Sequence, residues 1–113
     1  MNKKEQVAFI DTLENMRKFQ KLYFKTRTED TLTKSKALER ELDSKIDVFY
    51  RGGIKEYPYV VELAEDMRAA QRSFFKNRNK RFLIAAKSLE AKVDKLLAEM
   101  KSHEEMVKQL TMF

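Results

Sequence analysis

Carboxylates and cations dominate the chemistry this chain could do. Of its 113 residues, 18 are Asp or Glu and 24 are Lys or Arg, with a single His and no Cys. Four carboxylates, Glu39, Asp43, Glu90 and Asp94, recur at matched spacing, and carboxylates on facing helices can hold a dinuclear metal centre. Such centres also place a His three residues after a Glu on two helices. Neither Glu39 nor Glu90 is followed by one, and His103 stands alone. Nearby Arg side chains would compete with a cation for the same oxygens, so no metal or other cofactor is expected. Without Cys there is no thiolate chemistry and no disulfide, and no Gly-rich phosphate loop or nucleophile-base pairing is present. The chain reads as a non-enzyme.

The cations are ordered differently. Between Glu14 and Glu29 lie Arg17, Lys18, Lys21, Lys25 and Arg27 with no acid among them; between Asp66 and Glu90 lie Arg68, Arg72, Lys76, Arg78, Lys80, Arg81 and Lys87. Dipole compensation at helix C-termini accounts for Lys25, Arg27, Lys76 and Arg78. It does not account for Lys80, Arg81 and Lys87, which open a helix. Together with Tyr23, Phe74 and Phe82, the cluster Lys76, Arg78, Lys80 and Arg81, joined by Lys25 and Arg27 from the other copy, has the ingredients of a phosphate-binding surface with stacking rings. Phe24 and Phe75 are expected in the core. The net charge of +6 favours anionic partners such as nucleic acid or a nucleotide.

The elements that position these residues come from a duplication. Residues 14–43 align without gaps on residues 65–94, and twelve positions are identical, among them Arg17/Arg68, Gln20/Gln71, Phe24/Phe75, Lys25/Lys76, Arg27/Arg78, Glu39/Glu90 and Asp43/Asp94. Each copy reads as two helices. In the first, Ile10, Leu13, Met16 or Arg17, Gln20 and Phe24 recur at helical spacing up to Lys25. Thr28 before Glu29 and Asp30 then caps a second helix, whose stripe runs through Leu32, Leu42, Ile46 and Phe49. Gly52, Gly53 and Pro58 mark the linker, with Pro58 suited to the first turn of the third helix. Asn79 caps a fourth helix from about Lys80 to near the C-terminus.

This predicts an all-α protein of one domain: repeat 1 at about 2–49, a linker at 50–57, repeat 2 at about 58–100 and a helical extension at 101–113. Two hairpins form an antiparallel four-helix arrangement or stack as a minimal solenoid. A hairpin folded near residues 28–30 sets Arg17 opposite Asp43 and Gln20 opposite Glu39, and the second copy sets Arg68 opposite Asp94 and Gln71 opposite Glu90. Interhelical ion pairs that fix register are therefore the structural reading of these residues. Beyond the end of its hairpin partner, the last helix keeps Val93, Leu96, Met100, His103, Val107 and Leu110 on one stripe, with His103 partly buried. Either its own chain covers that stripe or a homodimer or higher homo-oligomer does. The longest apolar run, Phe82 to Ala86, is far short of the roughly twenty residues of a membrane span. With no apolar signal core at the start, a soluble, unsecreted, cytoplasmic protein that does not engage a membrane is expected.

The repeated unit M-R-x-x-Q-(K/R)-x-(Y/F)-F-K-x-R, followed by L-x-x-x-K-x-L-E, resembles small helical proteins of unknown function from bacteriophages and prophages. The resemblance covers about thirty residues in each copy. It implies a short non-catalytic protein that acts on a host or phage component in the infected cytoplasm or is packed into the virion. It carries over no functional residues. Two function classes stand: a module that binds nucleic acid or a nucleotide through the basic turn end, and a protein-interaction module (inhibitor, adaptor or virion component) that works through a helical face.

Overall fold

The computed structural model describes residues 3–51 and 59–111, with side-chain environments over 4–51 and 59–105. The fold is all-α. Its helices are α1 (Lys3–Thr26), α2 (Glu29–Arg51), α3 (Tyr59–Asn77) and α4 (Lys80–Thr111), paired as the hairpins α1·α2 and α3·α4. Arg27, Thr28, Arg78 and Asn79 are the only described residues outside a helix.

The chain divides into two compact units, residues 1–65 and 66–113, so the division falls inside α3 and not in the linker. Burial explains why. Val60, Val61, Leu63 and Ala64 in the first turns of α3 are buried, and they belong to the unit whose core holds Phe9, Leu13 and Met16 from α1 and Leu42, Ile46 and Phe49 from α2. The apolar stripes of α1 and α2 are interrupted by the buried polar residues Arg17, Gln20 and Glu39, so the first unit's apolar core also draws on the first turns of α3. In the second unit Met67, Ala86 and Val93 are buried beside Arg68 and Gln71.

Helix α2 continues through Tyr50 and Arg51, two residues into the expected linker. Arg51 Nε lies 3.0 Å from Asp47 Oδ2 across that last turn, where a cation also suits the negative end of the helix. Gly52, Gly53 and Pro58 lie outside the described residues. Helix α4 runs from Lys80 as expected, with Leu96 and Met100 half-buried and His103 exposed, not partly buried. The side chains of Val107 and Leu110, and all of Phe113, lie outside the described residues. No helix among the described residues is long and apolar enough to cross a membrane.

Candidate functional site: two hairpin tips on buried polar relays

Each hairpin is pinned by a buried relay built from the repeated residues. In the first, Arg17 Nη1 donates to Gln20 Oε1 at 2.6 Å, and Gln20 Nε2 donates across the hairpin to Glu39 Oε2 at 3.0 Å. Glu39 also accepts from Ser35 Oγ at 3.2 Å and pairs with Lys36 Nζ at 3.3 Å. The second copy repeats the geometry: Arg68 Nη1 to Gln71 Oε1 at 2.6 Å, Gln71 Nε2 to Glu90 Oε2 at 2.9 Å, and Lys87 Nζ to Glu90 Oε1 at 3.4 Å. An amide suits the middle place because it accepts from the guanidinium at one end and donates to the carboxylate at the other. The expected meetings of Gln20 with Glu39 and of Gln71 with Glu90 are thus present. Asp43 and Asp94 are half-buried one turn beyond Glu39 and Glu90. No buried side-chain nitrogen or oxygen among the described residues lacks a hydrogen-bond partner, which is what makes a polar interior affordable.

These relays put the hairpin turns in register, and the two turns are built alike. Arg27 and Arg78 have positive φ, 54° and 52°. Each donates its backbone N–H to the carbonyl four residues back, Arg27 to Tyr23 and Arg78 to Phe74, both at 2.6 Å. That is the left-handed C-terminal cap, a position usually taken by Gly because a side chain there costs about 1–2 kcal/mol. Thr28 and Asn79 then cap the following helices: Thr28 Oγ1 accepts from Thr31 N at 3.3 Å and Asn79 Oδ1 from Arg81 N at 2.9 Å.

Both copies hold Arg at this strained place, and both use its side chain in the same way. The Arg27 guanidinium lies 5.4 Å from the Tyr23 ring centre and 5.1 Å from that of Phe24; Arg78 lies 5.5 Å from Phe74 and 5.3 Å from Phe75. Contrary to expectation, Phe24 and Phe75 are not core residues: they are 52% and 48% exposed. They occupy the last turn of each helix, where a two-residue connection leaves no further turn to fold over them. Tyr23, Phe74 and Phe82 are half-buried instead. Helical periodicity placed Phe24 on the core stripe, and only the end of the hairpin removes it.

An Arg78→Gly substitution should leave the melting temperature unchanged or raise it slightly. Relief of the left-handed backbone, about 1–2 kcal/mol, is offset by glycine's entropy, about 0.5–1 kcal/mol, and by the lost ring contact, about 0.5–1 kcal/mol at an exposed site. A drop of several degrees in a circular-dichroism melt would instead make the guanidinium a structural clasp.

The tips share a backbone but not a charge. At the positions equivalent by the repeat, Glu29 and Asp30 become Lys80 and Arg81, and Thr31 and Thr33 become Phe82 and Ile84. At the first tip the hydroxyls are occupied locally: Thr31 Oγ1 is 2.8 Å from Thr28 Oγ1, and Thr33 Oγ1 donates to the Glu29 carbonyl at 3.0 Å. Acids in the first turn of α2 also favour the positive end of its dipole. The first turn of α4 has no acid, and Lys76, Arg78, Lys80 and Arg81 are all exposed, as are Lys25 and Arg27 at the first tip. The divergence is visible in the sequence at the non-identical positions of the two copies.

Among the described residues no group of three or more His, Cys, Asp or Glu side chains is placed to hold a metal ion. No protein-family model, no curated protein and no solved structure matches this chain.

Proposed function

We propose that this protein is a non-catalytic module that binds a phosphate-rich ligand, nucleic acid or nucleotide, through a basic hairpin tip. Lys76, Arg78, Lys80 and Arg81 are the principal contacts, and Lys25 and Arg27 are the corresponding cations of the first tip. One observation carries this reading: Lys80 and Arg81 are exposed in the first helical turn, where a carboxylate would contribute about 0.3–1 kcal/mol and a cation opposes the dipole. Helix stability does not call for them, whereas polyanion binding does. The phage-type resemblance of the repeat is compatible with such a role in an infected cell.

Replacing Lys76, Arg78, Lys80 and Arg81 together by Gln tests the reading. The parent protein should bind oligonucleotide at low ionic strength and lose it as salt rises. The variant should keep its helical spectrum, bind far more weakly, and show a logarithmic salt slope smaller by about 0.7 to 0.9 for each phosphate contact removed. A parent protein that binds no DNA, RNA or nucleotide at low salt would overturn the proposal and leave the protein-interaction reading.

A further inference from the structure

Resting on that reading, we infer that the second tip alone is the binding site and that its ligand is single-stranded nucleic acid, with bases stacked on Phe75 and phosphates held by Lys76, Lys80 and Arg81. Three independent observations support this. Phe75 exposes about half its surface beside a guanidinium 5.3 Å from its ring centre, and unpaired bases stack on aromatic rings and on Arg planes alike. A duplex hides its base faces and can use only the cations.

The second feature is Ile84, which is 61% exposed in the turn after Lys80 and Arg81. It lies three and four residues beyond them, so apolar and cationic groups share one face of α4. An apolar side chain among cations gains nothing from a free phosphate or from inorganic polyphosphate, but it can cover part of a base or sugar. Third, the first tip provides an internal comparison. It has the same Arg, the same exposed Phe and the same backbone, yet Glu29 and Asp30 cancel the charge of Lys25 and Arg27, and Thr33 stands where Ile84 does. Like charge would repel a phosphate chain there. After duplication, the changes at these equivalent positions gave one tip both the cations and the apolar group that a single strand needs.

The test compares three probes at fixed salt: a short oligothymidylate, the duplex it forms with oligoadenylate, and inorganic polyphosphate of matched charge. The intact protein should bind the single strand more tightly than the duplex. Phe75→Ala should weaken single-strand binding by about five- to a hundredfold, the usual value of one stacked base, and leave polyphosphate binding unchanged. Phe24→Ala should change neither. Both rings are about half exposed, so both variants should stay folded, each losing the ring contact with its Arg, about 0.5–1 kcal/mol, and melting a few degrees lower by the same amount. Equal affinity for strand and duplex, an equal loss for strand and polyphosphate in Phe75→Ala, or a loss in Phe24→Ala matching that in Phe75→Ala would overturn the inference while leaving polyanion binding intact. Absence of salt-sensitive binding to all three probes would overturn the broader proposal as well.

Discussion

Giving the second tip the acids of the first, by Lys80→Glu with Arg81→Asp, should all but eliminate oligonucleotide binding while the melting temperature holds or rises. Two phosphate contacts are lost, and two carboxylates now face the strand, so the logarithmic salt slope should fall by at least about 1.4. Stability moves the other way because the acids meet the positive end of α4, each contributing about 0.3–1 kcal/mol. The reciprocal change, Glu29→Lys with Asp30→Arg and Thr33→Ile, should create a second site, since Phe24 and Arg27 already have the geometry of Phe75 and Arg78. Titration should then show two equivalents of oligonucleotide bound per chain in place of one. If the first exchange lowers stability and binding together, Lys80 and Arg81 are structural, and the functional reading of their position against the dipole is lost.

Removing the carboxylate at the end of the first relay should be the most damaging single change to the fold. Glu39→Ala removes the acceptor that the Gln20 amide and the Ser35 hydroxyl share inside the hairpin and the carboxylate beside Lys36. Each buried donor that loses its acceptor costs about 1–3 kcal/mol, and two are affected here. The equivalent Glu90→Ala should cost less. The Glu90 side chain is 14% exposed against 8% for Glu39, and the place of Ser35 is taken by the buried apolar Ala86, so fewer groups are stranded. Urea unfolding of the two variants would rank them. Equal losses below about 1 kcal/mol for both would mean that water replaces the carboxylate and that the relays do not set register. Since both sites lie well away from the tips in sequence, neither variant should alter the salt slope of binding when measured where the protein is still folded.

The helical hairpins, their tight turns and the partners Gln20–Glu39 and Gln71–Glu90 were legible in the sequence. Their determinants are local or repeated: three-and-four periodicity, a capping residue before each second helix, and a polar face kept in both copies. Reflection about a short turn then fixes which residues meet, because an antiparallel pair of regular helices has little freedom in register. What lay beyond local reasoning concerns ends and packing. Periodicity assigned Phe24 and Phe75 to the core because a repeating pattern carries no information about where the covering helix stops. The left-handed backbone of Arg27 and Arg78 was equally hidden, since the usual signal, Gly or Asn, is absent there. His103 follows the apolar spacing of α4 yet is exposed, a matter of what faces that turn and not of its neighbours in sequence. The first turns of α3 join the core of the first unit for the same reason: Val60, Val61, Leu63 and Ala64 announce an apolar surface, but only the tertiary structure decides which other surface removes it from water.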